Sequence, residues 1–339
     1  MRLTEYDLGF RFKKNVFTVA GMIDRYHDKR IFLYPDHIYS KSWSKRGMST
    51  FVESILLGMP TTEFWCEEDN YGAISVLDGT QRVQCLLDFC NDEFPLHGLK
   101  LLPNLENLYY SELPSRYAST LSNRAELYFT TISYDTHPAL KFEFFKRINS
   151  DSYRFPVQAA RNFAFRDHFL FIRNTQRACS RYLEPSSSGS ILSNKDEYLH
   201  AASFDELYLL LAALTLTFNK VMRPNENTTQ DLLDEAAMQI HFSKFDTDTL
   251  KRDIRTHLRS IYTHAGNTIA FDPHVAFSRR PRRDIINSNF LLTQNQIANM
   301  YIYSLRDEIS SLTDVHEILE SSPRAPTRTA SSYYKRLFR

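Results

Sequence analysis

The spacing of apolar residues divides the chain into two regions. From Ile31 to about Ser150, short runs rich in β-branched and aromatic residues alternate with short helical patterns. From Pro156 onward, apolar residues recur mainly at the helical period. The pattern predicts an α+β fold, with a mixed domain over residues 1–150, a helical domain over 151–320 and a flexible tail over 321–339.

The first region is predicted to contain two strands and three helices. Its strands cover residues 73–77 and 126–134, and its helices cover about 50–57, 83–89 and 138–149. The first helix begins at the capping-box pair Thr50 and Glu53 and ends at Gly58. Residues 78–82 therefore lie at a corner between a strand and a helix.

In the second region, the spacing of apolar residues predicts a bundle of helices. They lie near residues 157–176, 204–222, 229–243, 247–265 and 294–310. Ser203 and Glu206 have the capping-box spacing at the start of one helix, and Gly266 is placed to end another. The final segment carries five cations and no acid: Arg324, Arg328, Lys335, Arg336 and Arg339. Such a segment is expected to be flexible.

Composition narrows the class of protein. The 41 basic and 40 acidic residues nearly cancel, so net charge does not indicate a nucleic-acid partner. The four cysteines form no CxxC pair, which favours free thiols and argues against structural zinc. The longest apolar run, Leu207–Phe218, is too short to span a bilayer, and the amino terminus lacks a signal-peptide core. We therefore expect a cytoplasmic protein without a membrane partner.

The most informative motif is the run VLDGTQR, residues 76–82. Asp78 has the chemistry to hold a metal ion or position water, Gly79 permits close backbone approach, and Arg82 offers a planar fork to phosphate oxygens. The start of a helix also favours anions. A second interpretation needs no ligand, because Asp78 and Gln81 themselves have the spacing of a capping box.

Several separate segments resemble the amino-terminal domain of the GmrSD-type restriction systems, a family with a DGQQR motif and a ParB/sulfiredoxin-like fold. The matching segments, in chain order, are Asp36–Tyr39 with Lys41 and Trp43, Phe51–Pro60, Asp78–Arg82, and Phe144–Asn149 with Gln158, Arg161 and Asn162. They cover about residues 31–165. The chain departs from the family pattern at Thr80, Ser40, Lys41 and Ala160, where glutamine, glutamine, arginine and glutamate are usual.

The resemblance implies binding and hydrolysis of a nucleoside triphosphate with Mg²⁺, linked to recognition of modified DNA, with DNA cleavage by a separate HNH effector. Carried over to this chain, it assigns catalysis to Asp78 and Arg82, metal binding to Asp78, and nucleotide binding to Gly79, Thr80, Gln81, Arg147 and Asn149. Two of these have simpler interpretations, since Arg147 also suits a solvated helix end and Asn149 an ordinary helix stop.

Candidate DNA contacts are Lys41 and Trp43 from the resembling segment and the basic run Arg279, Arg280, Arg282 and Arg283. A solvated loop is the simpler explanation of the run Arg279–Arg283. Two alternatives to a nucleotide-dependent regulator remain open. One is a non-catalytic module that binds DNA or protein, and the other is a nuclease with an unrecognised site.

Overall fold

The structure of the chain, a computed structural model, describes residues 9–33, 43–148, 157–183, 197–222, 228–242, 246–266, 269–271, 290–321 and 330–337. The chain divides into two compact units. Residues 3–141 form a unit that contains the main sheet, called the sheet unit below. Residues 142–339, with residues 1–2, form a second unit, called the helical unit. The predicted α+β class is confirmed.

The sheet unit is organised around five strands: β1 (Phe12–Thr18), β2 (Ile31–Leu33), β3 (Phe64–Glu68), β4 (Ile74–Asp78) and β5 (Glu126–Ile132). Their order is β1-β5-β3-β4-β2. The pairs β1/β5 and β3/β4 are antiparallel, whereas β3/β5 and β2/β4 are parallel, so the sheet is mixed. The strands predicted at 73–77 and 126–134 correspond to β4 and β5.

Helices of the sheet unit pack on an apolar core. They are α1 (Val19–His27), α2 (Lys45–Leu56), α3 (Thr80–Cys90) and the short α4 (Ser115–Ser119). Alternate strand residues supply the core, and Phe64 of β3 stacks on Phe129 of β5 with ring centroids 4.7 Å apart. Val76, in the middle of β4, is fully buried in the same core. The strand that leads into residues 78–82 is thereby anchored.

The start predicted for α2 is wrong. Ser44 is the N-cap, because its hydroxyl accepts the Gly47 N–H at 3.1 Å, and the helix begins at Lys45. Thr50 lies inside the helix and donates to the carbonyl of Arg46. Glu53 turns instead toward a loop, where its carboxylate accepts the backbone N–H groups of three successive residues, Lys100, Leu101 and Leu102. The end predicted at Gly58, which has φ +71°, is confirmed.

The helical unit contains most of the helices: α5 (Pro138–Ile148), which also enters the sheet unit, α6 (Val157–Ala164), α7 (Arg166–Leu183), α8 (Glu197–Phe218), α9 (Thr229–Phe242), α10 (Thr247–His264), α11 (Gln294–Leu305), α12 (Leu312–Ser321) and α13 (Ala330–Leu337). Two short parallel strands, β6 (Ile269–Phe271) and β7 (Phe290–Leu292), were not predicted. Residues 207–214 of α8 are fully buried, so this helix forms the apolar centre of the unit.

Three predictions for the helical unit need correction. The helix expected at 157–176 is interrupted at Phe165, and Ser203 with Glu206 lies inside α8 rather than at its start. Within the tail expected to be flexible, residues 330–337 form α13, in which Tyr333 is buried and its hydroxyl donates to Asn295 at 2.6 Å. Gly266, with φ +67°, follows the end of α10 as predicted.

The division between the units falls inside α5, after Lys141, rather than at the predicted residue 150. Lys141 belongs to the sheet unit, because its ammonium is buried against Glu67 of β3 and donates to the Tyr134 carbonyl. Phe145, one turn later, packs on Phe163 of α6 within the helical unit. Among the residues described, no helix is long and apolar enough to cross a membrane.

Candidate functional site

The candidate site is the corner at residues 78–82, where β4 ends and α3 begins. Asp78 is the last residue of β4 and lies opposite Trp65 of β3. Gly79 is the N-cap of α3 and adopts φ +95°, a left-handed conformation that favours glycine. Because glycine has no side chain, the N-cap residue itself makes no side-chain cap of this helix. The predicted strand-to-helix corner is confirmed.

This geometry bears on the capping-box interpretation of Asp78. A capping box would require Asp78 to be the N-cap and to accept a first-turn N–H group. In the structure Gly79 occupies the N-cap position, while Asp78 Oδ2 accepts from Arg82 Nη2 at 3.3 Å, and about half of the Asp78 side chain, 49%, is exposed. The carboxylate is thus accessible to solvent at the start of a helix, the end at which backbone N–H groups favour an anion.

Arg82 is held much more tightly than Asp78. Its Nη1 donates to both the carbonyl and the hydroxyl of Thr62, and its Nη2 donates to the Glu63 carbonyl at 3.1 Å as well as to Asp78. The guanidinium lies 4.4 Å from the centroid of the Phe64 ring, and only 11% of the side chain is exposed. Burial lowers the pKa of Arg82, while the neighbouring Asp78 charge acts in the opposite direction.

Gly79 is required for this arrangement as well as for the backbone turn. A Cβ atom at residue 79 would lie 2.6 Å from Phe64 Cδ1 and 2.8 Å from Arg82 Nη2. The close approach predicted for a ligand is therefore made by the protein's own aromatic ring and guanidinium. Sequence reasoning missed Thr62, Glu63 and Phe64, because no local motif links them to a corner that follows later in the chain.

The remaining residues of the corner are partly buried. Thr80 donates its hydroxyl to the Val76 carbonyl at 3.4 Å, one turn back, so the side chain supports the corner itself. Gln81, the next residue, is also partly buried and interacts with the protein. The neighbouring thiol of Cys66 is fully buried, and burial raises its pKa, with a further contribution from the Asp78 charge. Cys66 therefore has no nucleophilic thiolate to offer at neutral pH.

A second charged cluster lies where β3 begins. The Glu63 carboxylate accepts from Lys14 Nζ at 2.7 Å and from the Thr130 hydroxyl at 3.0 Å. Its hydrogen bond to Lys14 is the main cause of its lowered pKa, so Glu63 stays ionised. Among the residues described, no group of three or more His, Cys, Asp or Glu side chains has the arrangement of a metal site. A magnesium ion at the corner would therefore be held by the Asp78 carboxylate together with the phosphates of a bound nucleotide. Mg²⁺ is commonly bound in this way, by one or two carboxylates and the phosphates of a substrate.

The other predicted site residues are not gathered at this corner by any described contact. Arg147, on the last turn of α5 in the helical unit, is 78% exposed and pairs with Glu143 at 3.5 Å. Trp43 packs edge-on against Phe51 of α2, with ring centroids 5.6 Å apart. The remaining candidates lie outside the described residues: Lys41, Asn149, Arg279, Arg280, Arg282 and Arg283.

The last resembling segment, with Gln158, Arg161 and Asn162, forms a buried polar network in the helical unit. Arg161 is fully buried and donates to Asp234 of α9 at 2.7 Å, to Gln158 at 3.1 Å and to Gln230. Asn162 donates to Asp205 of α8 at 2.8 Å. These side chains join α6 to α8 and α9, so their polar character is explained by internal contacts.

Two further groups of polar residues also have structural explanations. Asn295 and Asn299 of α11 accept hydrogen bonds from Tyr333 and Arg336 and so hold α13. His241, which has no carboxylate at helical spacing, lies 3.2 Å from Asp167 through the fold. Neither group forms a nuclease site with the residues described.

Comparisons of the chain with protein-family models, with curated proteins and with solved structures found no match. The similarity to the GmrSD-type family therefore rests on the segments quoted above. The functional inference has to be argued from the geometry of the corner.

Proposed function

We propose that the chain binds a nucleoside triphosphate with Mg²⁺ at the corner formed by residues 78–82 and hydrolyses it. On the family resemblance, it would act as a sensor or regulator in a prokaryotic restriction or anti-phage system, with a separate protein as nuclease or other effector. DNA is the further partner that this role implies.

One observation carries the proposal: the half-exposed carboxylate of Asp78 stands at the start of α3, directly before the glycine that is its N-cap. Helix N-terminal N–H groups bind phosphate oxygens, and an adjacent carboxylate is the usual way for a protein to hold the accompanying magnesium. The left-handed Gly79 directs the chain from strand to helix, so both features meet at one point.

Within this site, the residues of the chain divide the work. Asp78 would bind the cation or orient the attacking water, and the first turn of α3 would face the phosphates. Bound Mg²⁺ would neutralise phosphate charge. Arg82 would hold Asp78, and Thr80 and Gln81 would line the approach. The departure at Thr80 from the family glutamine is expected to affect which base is preferred.

The test is binding and Mg²⁺-dependent hydrolysis of ATP, GTP and CTP by wild type and by Asp78→Asn, each with and without DNA. We expect Asp78→Asn to lose at least about tenfold in Mg²⁺-dependent activity, the range typical of altered metal-site residues. Asp248→Asn is the matched control, because Asp248 is an exposed helical aspartate paired with Lys251. Circular dichroism establishes that the variants are folded.

A folded wild-type protein that binds none of the three nucleotides under any of these conditions would refute the proposal. Equal losses of Mg²⁺-dependent hydrolysis in Asp78→Asn and Asp248→Asn would show that the Asp78 carboxylate has no specific role in the reaction.

A second candidate function is a non-catalytic module that binds DNA or a protein. It is favoured by the internal use of Arg82, whose guanidinium already has four acceptors in the fold. In that case Asp78→Asn would leave partner binding unchanged. Salt dependence of DNA binding, measured by fluorescence anisotropy, would report how many phosphates the protein contacts.

A further inference from the structure

We propose that Thr62 is a positioning residue for Asp78 and that it acts through Arg82. This role rests on the proposed function, since the group that Thr62 serves is the carboxylate of the nucleotide site. It also reassigns Arg82, which the motif alone would place directly on a phosphate.

The hydrogen bonds of Arg82 carry the first step. A guanidinium has five N–H donors, and those on Nη1 and Nη2 number four. The Nη1 pair meets the carbonyl and hydroxyl of Thr62, and the Nη2 pair meets the Glu63 carbonyl and Asp78 Oδ2. A phosphate would have to displace these acceptors before it received the two-pronged contact that arginine offers.

Packing carries the second step. The guanidinium lies over the Phe64 ring, and the space on its side toward the backbone exists only because residue 79 is a glycine. The side chain therefore cannot swing toward solvent without leaving an aromatic contact and four acceptors.

Thr62 is the residue that sets the Arg82 rotamer. It precedes β3, its side chain is exposed, and it supplies both acceptors of Nη1. Because Nη1 and Nη2 belong to one rigid plane, fixing Nη1 also fixes the Nη2 that holds Asp78 Oδ2. One oxygen of Asp78 is thus oriented by the fold, while the half-exposed side chain keeps the carboxylate accessible to a cation or water.

The experiment compares Thr62→Val, Thr62→Ser and Arg82→Lys with Thr50→Val. Valine matches threonine in shape but removes the hydroxyl acceptor, whereas serine keeps it. Thr50→Val is the control, because Thr50 is an exposed threonine on α2 whose hydroxyl bonds only its own helix. Two readouts are used: kcat and KM for Mg²⁺–nucleotide hydrolysis, and the emission of Trp65, which lies opposite Asp78, in a Trp43→Phe background.

We expect Thr62→Val to lower kcat about tenfold with little change in KM, and Thr62→Ser to restore it, because a misplaced catalytic group costs turnover rather than binding. The double variant Thr62→Val/Arg82→Lys should be no slower than Arg82→Lys alone, since both changes act through one contact. Trp65 emission should shift in Thr62→Val and not in Thr62→Ser or Thr50→Val.

Wild-type kcat and Trp65 emission in Thr62→Val would overturn the positioning role. So would a large rise in KM in Arg82→Lys with Thr62→Val unaffected, because that pattern means that Arg82 contacts the phosphate itself. If wild type neither binds nor hydrolyses nucleotide, the proposed function fails, and the Trp65 emission then decides separately whether Thr62 orders the corner.

Discussion

Two of the arginines in the resembling segments, Arg82 and Arg161, have similar partners and different surroundings. Each donates to a carboxylate and to further internal acceptors. At the corner, the carboxylate partner Asp78 is 49% exposed, whereas in the helical unit Asp234 is 14% exposed and Arg161 is fully buried. The same pair of residue types therefore leaves a carboxylate accessible to solvent in one unit and joins helices in the other.

The comparison shows that an Arg–Asp pair does not by itself mark a binding site. What distinguishes the two pairs is the exposure of the aspartate, because only an exposed carboxylate can meet a ligand. In a buried ion pair whose polar atoms all bond within the protein, no group is available to a ligand. Removing one partner leaves the other as an uncompensated buried charge. An exposed carboxylate costs little to keep and remains available. The predictions below test this distinction, beginning with the largest effect.

The largest effect is expected for Arg161→Ala, which leaves Asp234 without its closest buried partner. Breaking a buried pair in this way typically lowers the free energy of unfolding by about 3–5 kcal/mol. Urea unfolding at pH 7 measures it. The control is Arg252→Ala, because Arg252 is 71% exposed beside Asp246 and should cost no more than about 0.5 kcal/mol. Similar losses in the two variants would contradict the distinction.

The pH dependence of Asp205 gives the next effect. Burial raises the pKa of Asp205 to about 6, although Arg173 and Asn162 act in the opposite direction. The group thus favours the folded state when protonated, and this contribution, present below about pH 4, is lost as the pH rises through about 6. At about 1.4 kcal/mol per pKa unit, it amounts to roughly 3 kcal/mol.

Asp205→Asn should therefore gain stability relative to wild type between pH 4 and pH 7, as measured by urea unfolding at several pH values. His168 provides an internal contrast, because burial lowers its pKa to about 3. Its contribution is present above about pH 6.5 and is lost as the pH falls toward 3, the opposite direction. A difference between Asp205→Asn and wild type that does not change with pH would contradict the assignment.

The effect of Gly79→Ala tests the packing of the corner. The positive φ and the contacts with Phe64 and Arg82 together should lower the free energy of unfolding by about 2 kcal/mol or more. Gly58→Ala separates the two causes. Gly58 has φ +71°, but a Cβ there would meet no atom within 4 Å, so about 1 kcal/mol is expected. Equal losses would mean that the backbone conformation alone requires glycine at residue 79.

The smallest stability effect belongs to Asp78→Asn. Because Asp78 is half exposed, its ion pair with Arg82 is screened by water, and the change should stay within about 0.5 kcal/mol. Thermal denaturation is the measurement. A loss of several kcal/mol would place Asp78 with the scaffold residues and would remove the main support for a ligand at the corner.

Much of the local structure could be predicted from the sequence. The apolar run of β4, the glycine that follows it and the amphipathic α3 place residues 78–82 at a corner, because hydrophobic period and turn chemistry are local signals. The starts of α2 and α8 were misplaced, because a Ser or Thr followed by Glu occurs inside helices as readily as at their ends. Only the contacts of Ser44 and Thr50 distinguish the two cases.

The environment of each motif residue could not be predicted in this way. Nothing in the motif indicates that Arg82 bonds Thr62 and Glu63, since that contact depends on the register of β3 beside β4. The burial of Arg161 likewise depends on α9, far along the chain. A sequence motif therefore identifies the positive charge of an arginine but does not identify the groups to which that arginine will bond.

The contact made by Glu53 has a consequence for what this protein can recognise. Three successive backbone N–H groups, of Lys100, Leu101 and Leu102, converge on one carboxylate oxygen. Such a concave row of amides is the device with which many proteins capture phosphate or sulfate from solution. Here the anion is the side chain of Glu53 itself, so the three amides of this loop are satisfied within the protein and are not free to bind an anion from solution.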